Sequence, residues 1–208
     1  MKGATATIDA IGTQRAIAQK IWAKKADYVL ALKNNQEKLH EEIELFFDDS
    51  QVLAKCQSVS VWRGIGVFGG AEYWQSTRIG FLPQKKDWAG LRSAAMVCST
   101  VTKPDGEIVV QRRYFISSLP LDVEGIARVI WGHWRVEAMH WCLDVLFGED
   151  ACRVLDKTAA FNLNILRKLV LSVLRLLEVN CRGIHSLTKK RFVVGCDPVT
   201  YLARILTL

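Results

Sequence analysis

Several things that would fix a function class are scarce or missing in this 208-residue sequence. It has six cysteines and four histidines, but no C-x-x-C pair and no other paired cysteine spacing. A zinc ribbon or a disulfide framework is therefore disfavoured, and a reducing, cytoplasmic setting fits. No long apolar segment opens the chain, so no signal peptide is evident. The most apolar stretch, 161–179, is interrupted by Arg167, Lys168 and Arg175 and reads as a buried amphipathic helix rather than a membrane span. There is no internal repeat and no low-complexity linker. What remains is half apolar and one quarter charged, the composition of a globular protein with a sizeable core. A net charge of +7, spread along the chain, suits a polyanionic partner.

The pattern of apolar residues opens with a βαβ unit. Residues 4–9 are β-compatible and end on Asp9. Residues 12–25 carry Ile17, Ile21 and Trp22 at helical spacing, and 28–32 form a continuous apolar run that suits a strand buried on both faces. Two strands joined in this way should lie parallel. Ligands of open α/β sheets sit at the carboxyl ends of the strands. Asp9 lies at such an end, which makes it a functional candidate as well as a turn residue. A helix over 37–47 should turn Leu39, Ile43 and Phe46 or Phe47 inward. Residues 59–117 are β-rich (59–62, 73–81, 95–102, 108–116), with Pro104-Asp105-Gly106 marking a hairpin turn. Asp122 should cap a helix that runs through Ile126, Val129 and Ile130. The longest helix is expected over 159–178, with Leu163, Leu166, Val170, Val173, Leu174 and Leu177 on one stripe. Lys189-Lys190-Arg191 reads as a solvated face, with a phosphate contact as the alternative.

Residues 133–150 concentrate chemistry: two tryptophans, two histidines and four carboxylates in eighteen residues. As a helix, this stretch places His133, Glu137, His140, Trp141 and Asp144 on one face. A carboxylate among indoles is costly unless something pairs with it. Trp134 and Trp141, seven apart, are expected to pack inward. Asp144 and Asp150 suit either a supporting role or a surface one. His133, Glu137 and His140 also have a spacing that could hold zinc, although no His-Glu-x-x-His motif accompanies them.

The order His133-Trp134, Glu137, His140-Trp141, Leu143-Asp144-Val145, Phe147 and Asp150 resembles the signature of DDE-type insertion-sequence transposases in the H-repeat-associated group. Ile8-Asp9-Ala10-Ile11-Gly12-Thr13-Gln14 resembles that family's second-aspartate motif, Asp-Ala-x-Gly-Thr-Gln. The stretch from Asp27 to Gln36 resembles its next strand and Lys-x-Asn-Gln turn. Arg113-Tyr114-Phe115-Ile116-Ser117-Ser118-Leu119 and Asn162-Leu163-Asn164-Ile165-Leu166-Arg167-Lys168-Leu169 follow in family order.

The resemblance implies an α/β fold: the C-terminal part of a ribonuclease-H-like domain with a β-rich insertion before the glutamate-bearing helix. In that arrangement 1–55 is a partial core, 56–118 the insertion, 119–180 the helical part with the glutamate, and 181–208 a tail. The family cuts and joins DNA with Mg²⁺ or Mn²⁺ held by two aspartates and a glutamate. Asp9 matches the second aspartate and Glu137 the glutamate, so both are the implied catalytic and metal-binding residues. The first aspartate, upstream in the family, has no counterpart. Ala138, Trp131 and Phe68-Gly69-Gly70-Ala71-Glu72 also depart from the family's Glu-Asn, arginine and His-Gly-Arg-x-Glu. The expectation is a truncated transposase of an insertion sequence, inactive as this chain. It should bind DNA and should self-associate, or join a full-length transposase, through an unpaired edge at residues 4–9. The alternative is a non-catalytic DNA-binding or dimer-forming fragment that modulates a full-length transposase.

Overall fold

Alternation within one short run sets the architecture. The computed structural model describes residues 2–62, 69–102, 105–177 and 186–205. Strand β2 (Asp27–Leu32) buries Tyr28, Leu30 and Leu32 on one face and Val29 on the other. Neighbouring side chains of a strand point to opposite faces, so a run that is apolar throughout needs cover on both sides. Strand β1 (Thr5–Ile8) lies parallel to β2, with Thr5 opposite Asp27 and Ile8 opposite Leu30, and helix α1 (Arg15–Ala23) makes the crossover. This is the βαβ unit that the sequence pattern specifies.

Four more strands extend the same sheet: β3 (Gln57–Trp62), β4 (Gly69–Ser76), β5 (Ser93–Thr102) and β6 (Ile108–Ser117). The order is β1-β2-β6-β5-β4-β3, and every pair beyond β1–β2 is antiparallel. The β5–β6 hairpin closes where expected, with the Asp105 carboxylate accepting the Glu107 N–H at 3.1 Å; Pro104 and Phe68 lie outside the described residues. Strand β4 stops at Ser76 rather than continuing to 81. The Ser76 hydroxyl accepts the Arg78 N–H at 3.2 Å and turns the chain, and Phe81 stacks on Phe46 with ring centroids 4.7 Å apart.

Two compact units divide the chain, 1–134 and 135–208. In the first, Ala18 and Ile21 of α1, together with Leu39, Ile43 and Phe47 of α2 (Glu37–Asp48), cover one face of the sheet. A short helix, α3 (Ser50–Leu53), follows α2. The opposite face is covered by Val123, Ile126, Ala127 and Ile130, from the start of α4 (Val123–Phe147), on Val29, Tyr73, Ala95, Val97 and Phe115. Each buried valine, leucine, isoleucine or phenylalanine among them contributes roughly 1.5–3 kcal/mol, and the alanines less.

The second unit holds the rest of α4 with α5 (Lys157–Leu176), α6 (Leu187–Cys196) and α7 (Pro198–Ile205). Its small core is Cys142, Leu143 and Leu171, with Met139, Leu146, Phe147 and Leu187 against it. At 25 residues α4 is longer than α5, reversing the expected ranking. The stripe of α5 is also shorter than its leucines suggest. Leu171, Leu174 and Leu177 are buried near its end, whereas Leu166 and Val170 are exposed. Lys190, from the basic cluster of the tail, donates to the Leu174 and Leu177 carbonyls at 3.3 and 2.8 Å. That satisfies acceptors which a helix end leaves open. Asn164 is hydrogen-bonded to Glu149, linking two of the family-like motifs. Among the described residues no helix is long and apolar enough to cross a membrane.

Candidate active site

Two loops interlock at the carboxyl ends of β1 and β2. After Asp9 the chain makes a single 3₁₀ turn, closed by Gly12 N–H to the Asp9 carbonyl at 2.9 Å and Thr13 N–H to the Ala10 carbonyl at 3.0 Å. The turn needs glycine at its third position, because a Cβ on Gly12 would meet Cγ2 of Ile8 at 2.5 Å. Thr13 is fully buried, and its hydroxyl donates to the Ala31 carbonyl at 2.7 Å, fastening the turn to β2. From the other side, the Asn35 amide donates to the Ala10 and Thr13 carbonyls, and the Gln36 amide donates to Thr13 at 3.1 Å. The polar residues Thr13, Asn35 and Gln36 of the two motifs thus serve mainly to lock one loop against the other.

That frame sets the position and charge of Asp9. Lys33 Nζ stands 3.5 Å from Asp9 Oδ1, with the two side chains 64% and 48% exposed. The Asp9 carboxyl is held below the usual carboxylate range, first by the Ala10 N–H, which lies in electrostatic reach without closing a full hydrogen bond. Partial burial opposes this, and Lys33 and then His133 add to it. Asp9 is therefore an ionised oxygen donor, the type a hard divalent ion prefers, and it is open enough for water to complete a coordination shell. Asp9, Ala10, Ile11, Lys33, Asn34, Asn35 and His40 line an open cavity of about 480 Å³. The His40 ring meets the Tyr114 ring edge-on at 5.2 Å. Burial, then Glu44 and Asp48, push the Tyr114 hydroxyl up to about 12.

The start of α4 is fixed with equal care. The Asp122 carboxylate accepts the Gly125 N–H at 2.8 Å, the cap expected from sequence. A Cβ at Gly125 would come within 2.2 Å of that carboxylate. Gln75, fully buried, accepts the Asp122 N–H at 2.8 Å and donates to Ser93 and to the Pro120 carbonyl. Further along, His133 Nδ1 lies 3.1 Å from Thr7 Oγ1, joining α4 to the strand that carries Asp9. Trp134 is half-buried, with the Arg113 guanidinium 4.9 Å from its ring centroid.

Glu137 lies in the second unit, on α4 one turn beyond His133, and is exposed, as is His140. Trp141 departs from the expected inward pair. It is 59% exposed, because the buried side of this part of α4 is formed by Cys142 and Leu143 instead. Among the described residues no group of three or more His, Cys, Asp or Glu is gathered so as to hold a metal ion. His133, Glu137 and His140 are thus not gathered as a zinc site would need among the described residues, and His133 faces Thr7. Asp144 is half-buried and Asp150 exposed. Of the departures from the family pattern, Trp131 lines an apolar cavity of ≈ 290 Å³ with Val59, Val61, Tyr73 and Ala127, while Ala138 and Glu72 are exposed.

Comparison with known proteins gives a consistent result. Residues 2–173 match the family described as Transposase DDE domain. The chain is 34% identical over 202 residues to "Putative transposase YncI" of Escherichia coli O157:H7, covering 89% of this chain and 48% of that protein. It is 28% identical over 210 residues to "H repeat-associated putative transposase YhhI" of Escherichia coli K12, covering 91% of this chain and 52% of the relative. A further relative, "Uncharacterized protein in dhlA 3'region" of Xanthobacter autotrophicus, is 37% identical over 123 residues, covering 59% of this chain and 41% of that protein. The chain spans about half the length of the curated relatives it matches.

Proposed function

Because this chain belongs to the family of transposases with a DDE domain, we propose that it contributes Asp9 and Glu137 to a metal-dependent site that cuts and joins the DNA of an insertion sequence. In this reading the parallel β1–β2 pair, with helices on both faces, is part of a ribonuclease-H-like core. Asp9 is the family's second aspartate and Glu137 its glutamate, and both would ligate Mg²⁺ or Mn²⁺. The bound ions would supply activation of the attacking oxygen and stabilisation of the leaving one. The protein's part is to hold Asp9 ionised at the end of β1, with Lys33 beside it, and to carry Glu137 on a helix tied to β1 through His133. The observation that carries this reading is the interlocked pair of loops. It holds an ionised aspartate at the carboxyl end of a strand, where open α/β sheets place their chemistry.

Two of the family's three acids are matched, so these 208 residues by themselves are expected to bind DNA in the cytoplasm without cutting it. A third acid would come from a partner such as a full-length transposase. The test is to incubate the chain with supercoiled plasmid and Mn²⁺ while following binding and nicking separately. Binding that falls steeply with salt, with no nicking, is the expected outcome. Nicking that disappears in Asp9→Asn would show that the two acids suffice. No binding at low salt would remove the DNA role.

A further inference from the structure

We infer that the cavity at the ends of β1 and β2 is a seat for the DNA backbone, with Lys33 contacting a phosphate and Ile11 packing against the adjoining sugar or base. This names contact residues for the function proposed above and rests on it. Exposed apolar side chains scattered over a surface are ordinary. Ile11 differs in how it is held. It is 87% exposed, yet it sits in the middle of a turn fixed by the Gly12 and Thr13 amides, the buried Thr13 hydroxyl and the Asn35 and Gln36 amides. A loop so thoroughly tied holds the backbone of the isoleucine in place, and its side chain stands exposed at the rim of the cavity.

The rest of the rim is chemically suited to a phosphodiester. Lys33 brings a cation, and Asn34 and His40 bring groups able to donate, with Asp9 the one anion in the lining. At 3.5 Å, with both side chains about half exposed, the Lys33–Asp9 contact is a loose ion pair that contributes little to stability. The ammonium can thus reach a phosphate while staying beside Asp9. Phosphate contacts set the register of a protein on DNA, and apolar side chains next to them wedge against sugars or base steps. A lysine and a projecting isoleucine on two locked loops supply both kinds of contact within one cavity.

The experiment is fluorescence anisotropy with a short labelled duplex of arbitrary sequence, titrated with the full chain in EDTA at several salt concentrations. The wild type should show a steep fall of affinity with salt. Lys33→Gln should reduce the slope of log K against log salt by about 0.9, one phosphate contact, and Lys33→Arg should restore it. Ile11→Gln should weaken binding about tenfold at fixed salt with the slope unchanged, and Ile11→Leu should bind like the wild type. Both side chains are exposed, so the thermal midpoints should stay where they are. If the wild type binds with a steep slope and Ile11→Gln and Lys33→Gln behave like it, the seat is wrong and the wider DNA role stands. If the wild type fails to bind at low salt, both fall together.

Discussion

Lys33 Nζ stands 3.5 Å from Asp9 Oδ1, across the gap between the ends of two parallel strands. The two residues are not neighbours in sequence. They meet because the crossover through α1 returns the chain beside β1 in register, and because the loops after both strands share hydrogen bonds through Thr13.

The first consequence is a titration. The folded-state pKa of Asp9 is depressed, so its stabilising contribution is present above the unfolded value near 3.8 and is lost as pH falls through the lower folded value. The carboxylate is half exposed, so the effect on stability is small and is best followed at the residue itself. An NMR titration of the Asp9 carboxyl should give a midpoint below 3.8, and Lys33→Gln should move it upward. A midpoint that does not respond to Lys33→Gln would mean that the ion pair does not form in solution.

The buried clasp between the loops should be costly to cut. Thr13→Val keeps the shape of the side chain but leaves the Ala31 carbonyl without the 2.7 Å partner it has now. The expected loss is about 1–3 kcal/mol, seen as a lower urea midpoint, whereas Thr13→Ser should retain most of the stability. A Thr13→Val variant as stable as the wild type would show that the hydroxyl contributes nothing there.

In the second unit, Lys190 closes the end of α5 through the Leu174 and Leu177 carbonyls. Lys190→Met should lower stability by about 0.5–2 kcal/mol, and should speed amide exchange most at the C-terminal turn of α5. Lys189→Met, at an exposed neighbouring position, serves as the comparison. Exchange that rises equally in both variants would argue for a general charge effect.

Among the described residues, strand β1 ends the sheet and pairs with β2 alone. Open strand edges recruit other chains, and α5 adds exposed Phe161, Ile165, Leu169 and Leu176. Sedimentation velocity should show concentration-dependent species larger than the 23.4 kDa monomer. A chain that stays monomeric at high concentration and unfolds in one cooperative step would show that these surfaces are self-sufficient.

Much of this architecture is written in local pattern. The apolar run of β2 specifies cover on both faces, Asp105-Gly106 specifies the hairpin, and Asp122 specifies the start of α4; each is a matter of neighbouring residues. What depends on distant partners is less legible. The side of α4 that is buried changes along its length, so Trp134 is half-buried while Trp141, seven residues on, is exposed. The leucines of α5 look like one continuous stripe, yet only the end that meets a core is buried. At the site, Asp9 stands out by its position at a strand end. Lys33, Thr13, Asn35 and Gln36 gain their roles only once two parallel strands bring their loops together. Polar motifs that follow adjacent parallel strands must be neighbours in space, and that is the trace these residues leave in the sequence.

The proposed sharing of one metal site by Asp9 and Glu137 is tested most directly by Mn²⁺ binding followed by electron paramagnetic resonance. The chain would be compared with Asp9→Asn, Glu137→Gln and the double variant. Two ligands of one ion are coupled, so each single substitution should remove most of the binding and the double should lose little more. Mn²⁺ affinity that is untouched by either substitution, or losses that simply add, would contradict the shared site.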